Sequence, residues 1–272
     1  MLWQRVLTAL VLLPLVIGGV WYLPTAYLAP ILALFVLLGV RELALMTGFA
    51  GWPAAVLMLL MAVLQSLLWS RLHAELMPQL LTADAVLWLG LSLLLFTRRK
   101  PLVLVREQRP GVLALGLACL LLAWLAVVWL HAQPNGHGLL LSLLVLVWLA
   151  DSAAYFAGRA FGKRKLAPMI SPGKTLAGLA GALLAAVLLG AGLSQADLIA
   201  GQGMLAMALL YLVVALVSVA GDLAESAVKR QAGVKDSGQL LPGHGGVLDR
   251  IDSLIAAAPV FAALLWLLEG RS

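Results

Sequence analysis

The chain has 272 residues, 63% of them hydrophobic and 11% charged, with 18 Lys and Arg against 12 Asp and Glu for a net charge of +6. Soluble domains carry about 25% charged residues, so this composition, with a mean hydropathy of +1.05, excludes a water-soluble globule. Apolar runs of about 18 residues or more with few charges recur along the whole length, which is the pattern of membrane spans. Lipid cannot satisfy backbone polar groups, so each run must be a helix or a barrel strand. The runs are too long and too continuously apolar for tilted strands. The expected fold is all-α, a polytopic transmembrane helical bundle of about nine spans.

In chain order the expected spans are 4–21, 25–40, 52–69, 80–96, 112–130, 138–157, 175–193, 203–221 and 252–268. The N-terminus has one Arg and then an apolar run, with no small-residue cleavage pattern following at VWYLP, so the first reads as a retained span and not a signal peptide. Pro24 separates it from the second, because proline lacks the backbone donor that a continuous helix needs. Trp21, Trp52, Trp69 and Trp129 stand near span ends, where an interfacial belt would place them. The single cysteine, Cys119, lies within an apolar run and reads as a small core residue. His73, His131 and His137 fall in loops on the side with few basic residues and receive no role. In the seventh span Gly178, Ala182, Ala186 and Gly190 form a small-residue stripe, which suits internal packing and a homodimer contact alike.

The basic residues orient the bundle. With the N-terminus in the cytoplasm, sixteen of the eighteen Lys and Arg fall on the cytoplasmic side, and only Arg71 and Arg271 do not. Arg98, Arg99 and Lys100 read as topology signals that also meet anionic lipid headgroups, and no nucleic-acid partner is expected. The remaining polar residues concentrate in the second half. Residues 1–130 therefore read as N-terminal transmembrane helices and 131–272 as a C-terminal transmembrane catalytic region.

Two polar islands lie on the cytoplasmic side. The first runs from Asp151 to Thr175 and the second, GDLAESAVKRQAGVKDSGQLLPGHGGVLDRID, from Gly221 to Asp252. If the eighth span continues as a helix, Asp222, Glu225, Ser226, Lys229 and Arg230 share one face. Asp249 and Asp252 share a face at the start of the ninth span, where the helix dipole favours carboxylates. If the connecting loop folds back, Asp222 and Asp249 would meet at one membrane depth. Ionisable groups near the bilayer are costly and are functional candidates. The plain alternative is that these acids and bases only pair with one another at the water boundary. Opposed carboxylates with a Ser hydroxyl offer hard oxygen ligands for Mg²⁺, and Lys or Arg beside them would contact phosphates. The glycines around His244 in PGHGG expose amides that could cradle an anion. The segment ISPGKT looks like the tail of a Walker loop, but the first glycine of that motif is missing and no strand is expected before it. What survives is the cluster of Ser171, Lys174 and Thr175 at the head of the seventh span, where helix amides could also bind an anion.

At these residues the sequence resembles the phosphatidate cytidylyltransferases, or CDP-diacylglycerol synthases. From Ser226 to Asp252 it matches every fixed position of the family signature: Ser226, Lys229-Arg230, Lys235-Asp236, His244-Gly245-Gly246, Asp249-Arg250 and Asp252 with their apolar and small intervals. The elements at Asp151, Gly158 and Ser171 are similar as well. Ala177 and Ala153 stand where many members carry an acidic residue and a glycine, so position 177 is given no role. The resemblance implies a transfer of CMP from CTP to phosphatidate, giving CDP-diacylglycerol and pyrophosphate in phospholipid biosynthesis. It also implies Mg²⁺, alone or with a second cation, and a site embedded in a bacterial-type inner (cytoplasmic) membrane and open to the cytoplasm. Asp222 and Asp249 would hold the metal with help from Ser226. Lys229, Arg230, Arg250 and Lys174 would contact phosphates, and His244 the leaving pyrophosphate. Asp151, Ser171, Thr175, Lys235 and Asp252 are supporting, substrate-binding candidates.

Three other classes compete. A cation- or proton-coupled transporter would carry polar residues near span centres, whereas spans one to five show almost no buried charge. A CDP-alcohol phosphatidyltransferase would show its own aspartate-rich pattern, which is absent from the sequence. A structural scaffold would not need Asp222 or Asp249.

Overall fold

A computed structural model describes residues 2–70, 76–97, 109–196, 198–199, 201–240 and 245–270. Among these residues the chain forms nine helices: α1 Leu2–Tyr22, α2 Thr25–Thr47, α3 Trp52–Trp69, α4 Leu76–Thr97, α5 Arg109–His131, α6 Gly136–Phe161, α7 Leu176–Leu193, α8 Met204–Gln231 and α9 Leu248–Glu269. Eight of them, α2 to α9, are long and apolar enough to cross a membrane, and the described apolar stretch of α1, Leu10–Tyr22, is shorter. The protein is an integral membrane protein, and its all-α bundle is compatible with the nine spans expected.

The differences from the expected spans lie at helix ends, where charges were taken as boundaries. Helix α2 runs on to Thr47 and closes on Gly48, whose φ of 91° is the left-handed value that glycine adopts without strain. Arg41 and Glu42 are therefore helical. Helix α6 runs past 157 to take in Gly158 and Arg159. Helix α8 has 28 residues, roughly 42 Å at the α-helical rise, against a hydrocarbon layer of about 30 Å. The sequence read 158–174 as a loop, but a small antiparallel hairpin forms there: β1 Lys165–Ala167 pairs with β2 Ser171–Thr175. The SPGKT residues are thus themselves a strand, in a hairpin and not in a strand–loop–helix unit.

The chain divides into two compact units. Unit 1 comprises Met1–Ala74, Val103–Leu141 and Val228–Asp252. Within it α2 packs against α3 and α5. A Cβ at Gly116 would sit 2.6 Å from Leu43, so the bare glycine lets α5 approach α2. Gly39 likewise makes room for Leu248, 3.1 Å from where its Cβ would lie. His131 and His137, expected in loops, belong to α5 and α6 and are structural. The Val20 carbonyl would bond to residue 24 in a continuous helix, but Pro24 has no N–H to give. His131 Nε2 lies 3.0 Å and His137 Nδ1 2.8 Å from that carbonyl, within reach to supply the missing donor, and the two nitrogens are 3.1 Å apart. Trp129, expected at the interface, is buried instead, while Trp21, Trp52 and Trp69 are exposed as a belt requires. Cys119 is buried, as a core residue should be.

Unit 2 comprises Glu75–Leu102, Ser142–Ala227 and Ser253–Ser272. The small-residue stripe of α7 is consumed there. Ala182 and Ala186 are fully buried, and a Cβ at Gly178 or Gly190 would press on the carbonyl oxygens of Ala154 in α6 or Met207 in α8. Internal packing is the use the structure makes of it. The hairpin is fixed by Ile170, which joins Leu95, Val219, Ala220, Leu223 and Ala227 in one apolar cluster. Burying such a side chain stabilises by about 1.5–3 kcal/mol, which orders a short hairpin that would be marginal alone.

Candidate active site

The hairpin delivers one lysine to helix α8. Strand β2 ends at Thr175, whose Oγ1 accepts the Gly178 amide at 3.1 Å and so caps α7. The Leu176 amide donates to the Arg164 carbonyl. These two bonds set the strand's exit, and the preceding residue, Lys174, turns inward. Its Nζ lies 2.6 Å from Asp222 Oδ2 and 3.4 Å from the Val219 carbonyl. Ser226, one helical turn beyond Asp222, donates to Asp222 Oδ1 at 3.2 Å. Both side chains of the Lys174–Asp222 pair keep about a quarter of their surface exposed, 23% and 27%. The amides at the head of α7 that the sequence offered to an anion are thus partly spent on Thr175 and Arg164.

A second pair is built in unit 1. Lys229 comes from the last turns of α8 and lies 2.6 Å from Asp249 Oδ1 in the first turn of α9. The side chains are 11% and 8% exposed. Asp249 Oδ2 accepts the Ser237 amide at 2.9 Å and the Gly246 amide at 2.8 Å, and Ser237 Oγ lies 3.0 Å from it. Gly245 has a φ of 79°, which a side chain would strain, and a Cβ there would press on that same oxygen. The glycine-rich loop does cradle an anion, and the anion is the protein's own Asp249.

The loop is held from its other side by Glu42 of α2. Its Oε1 accepts the Val247 amide and its Oε2 the Leu248 amide, both at 2.9 Å, and Oε2 also accepts from Ser237 Oγ at 2.8 Å. These amides open α9, so a buried carboxylate caps the helix start and meets the positive end of its dipole.

From Ser226 through Asp249, the described residues that the signature singles out make a carboxylate-and-lysine chemistry suited to phosphates. The chain also matches the family model described as "Cytidylyltransferase family" over residues 3–268. It belongs to that family. The phosphatidate cytidylyltransferase of Pseudomonas aeruginosa is 45% identical over 98% of this chain and 97% of its own length. That of Haemophilus influenzae is 38% identical over 96% and 98%. That of Brucella suis is 53% identical over 50% of this chain and 48% of its own.

In this cytidylyltransferase the remaining sequence candidates sit as follows. Arg230, Lys235 and Arg250 are exposed, as is Asp151 on α6; Ser171 and Asp252 are half-buried. Thr175 is 6% exposed and spends its hydroxyl on the cap of α7. His244 lies outside the described residues. Among the described residues no three His, Cys, Asp or Glu side chains gather as a metal-binding group. Each unit offers hard oxygen donors in smaller number: Asp222 with the Ser226 hydroxyl in unit 2, and in unit 1 Asp249 Oδ1, which a cation would share with or take from Lys229. One oxygen per carboxylate suits Mg²⁺, which keeps waters and takes one or two carboxylates plus substrate phosphates.

The sequence reading missed Glu42 and Asp84. It found almost no buried charge in the first five spans, yet Glu42 is 4% exposed in α2 and Asp84 2% exposed in α4. Glu42 was placed beyond a span end at 40. The apolar run continues through Leu43, Ala44, Leu45 and Met46, and an acid inside an unbroken apolar run was the available signal.

Proposed function

We propose that this cytidylyltransferase is a phosphatidate cytidylyltransferase of a bacterial-type inner membrane, with its site open to the cytoplasm. A phosphate oxygen of phosphatidate attacks the α-phosphorus of CTP, the bond from that phosphorus to the bridging oxygen of the β-phosphate breaks, and CDP-diacylglycerol and pyrophosphate result. The observation that carries this reading is the 45% identity, across nearly the full length, to a relative of that name. The two lysine–aspartate pairs support it.

The nucleophile is already an anion near neutral pH, so no strong general base is required. Positioning and charge neutralisation carry the reaction. Asp222 and Asp249 would hold Mg²⁺, with Ser226 assisting. Bound there, the ion would neutralise phosphate charge and orient the reacting groups. Lys174 and Lys229, each now on a carboxylate, would exchange part of that contact for substrate phosphate. Exposed Arg230 and Arg250 would bind the outer phosphates, His244 the pyrophosphate, and Asp151, Ser171, Lys235 and Asp252 would support substrate binding. The excess of Lys and Arg on one side supports a cytoplasmic site, where soluble CTP is available.

The test is pyrophosphate release and lipid-linked cytidine from purified protein in detergent, given phosphatidate, CTP and Mg²⁺. Wild-type activity that disappears in folded Asp222→Ala and Asp249→Ala is the expected result. No activity in well-folded wild type, across several lipids, would reject the reaction.

A further inference from the structure

We infer that Glu42, on the second helix and far from the signature in sequence, is a positioning residue of the reaction: it holds Ser237, Val247 and Leu248 so that Asp249 is presented in its working orientation. The inference rests on the reaction proposed above and concerns a residue outside the signature.

Four observations converge on it, all within unit 1. Glu42 is 4% exposed, so its carboxylate is removed from water. Such a group is costly unless its oxygens are satisfied, and here they receive Val247 N, Leu248 N and Ser237 Oγ. All three donors flank Asp249 in the folded loop. Ser237 also contacts both acids, at 2.8 Å from Glu42 Oε2 and 3.0 Å from Asp249 Oδ2. A hydroxyl has one proton to donate, so the two carboxylates are coupled through it. Lastly, two glycines of the loop are shaped around Glu42. A Cβ at Gly238 would lie 2.5 Å from Oε1 and 2.9 Å from Cδ, and one at Gly246 would collide with both carboxylate oxygens and with Ser237 Oγ. Gly246, read in sequence as part of a phosphate cradle, is bare because Glu42 fills the space beside it.

A cap that only stabilised α9 would change the amount of folded protein and nothing else. A positioning residue changes turnover per folded molecule. The full-length protein in detergent serves for both readouts, as wild type, Glu42→Gln and Glu42→Ala. Amide hydrogen exchange is followed in peptides covering 237–250, with peptides from α5 as an internal reference. CTP kinetics are measured per folded enzyme. For Glu42→Gln, faster exchange in 237–250 and unchanged exchange in α5 are expected, with kcat lowered about 10–100-fold, the range for residues that orient a ligand, and KM for CTP changed much less. Gly238→Ala should impair the wild type, yet add almost nothing to Glu42→Ala, because the new methyl occupies the vacated space. Should Glu42→Ala not fold, Glu42→Gln alone decides. Faster exchange with wild-type kcat would reduce Glu42 to a helix cap and overturn the inference, and so would unchanged exchange. An inactive wild type would sink the reaction and the role together, while the exchange data would still report whether Glu42 anchors the loop.

Discussion

Two lysine–aspartate pairs of equal length, 2.6 Å each, stand in different surroundings. Lys174–Asp222 is a quarter exposed, is delivered by a short hairpin, and has a hydroxyl and a carbonyl as its further described partners. Lys229–Asp249 is about a tenth exposed, and one aspartate oxygen carries two backbone hydrogen bonds with the Ser237 hydroxyl 3.0 Å away. The contrast teaches that one pairing chemistry serves two purposes. A pair open to water gains little from its Coulomb attraction and exchanges partners readily. A buried pair is costly to break, because either partner left alone is an uncompensated charge. Asp222 is thus suited to trading Lys174 for a ligand, and Asp249 to being held still, with Oδ2 fixed by the loop and Oδ1 on Lys229.

The largest expected effect is from Asp249→Ala. It removes the acid 2.6 Å from buried Lys229 and strands the Ser237 and Gly246 amides, so stability should fall by about 2–3 kcal/mol, together with loss of activity. Thermal unfolding in detergent beside the cytidylyl-transfer assay checks both. Asp222→Ala should abolish activity equally but cost less than about 1 kcal/mol of stability. Equal losses of stability in the two variants would break the comparison. Next, Lys174→Met should lower kcat/KM for CTP on the order of a hundredfold, the scale for one phosphate-stabilising contact, with an unfolding temperature close to wild type. Thr175→Ala should cost about 1 kcal/mol through the lost cap and lower activity only as far as the hairpin loosens, which a melting curve and kcat at a fixed CTP concentration will separate. Smallest of all, replacing exposed Lys163 and Lys165 with Gln should leave kcat/KM within about twofold, since exposed charges this far from a partner contribute little.

Much of this was legible in one dimension. The spans were visible because apolar runs long enough to cross a bilayer have few alternatives. The face of α8 that carries Asp222, Ser226 and Lys229 followed from helical spacing alone. Lys174 was legible as a candidate but its partner was not, since nothing local to ISPGKT says that a hairpin pinned by Ile170 turns it toward Asp222. Nor could spacing reveal that the Gly246 amide is already occupied. A glycine run looks the same whether its donors await a substrate phosphate or hold the protein's own carboxylate.

The sequence by itself determined a membrane-embedded helical protein, its family signature and the residue types able to handle phosphates, because hydropathy, charge bias and short-range periodicity are properties of neighbours along the chain. Tertiary structure alone decided which lysine meets which aspartate, which oxygen of Asp249 takes the lysine and which the loop, and that Glu42 stands behind the loop. Those are contacts between residues up to 206 positions apart, and their partners are chosen by packing and by the need to satisfy every buried polar group, which no local pattern encodes.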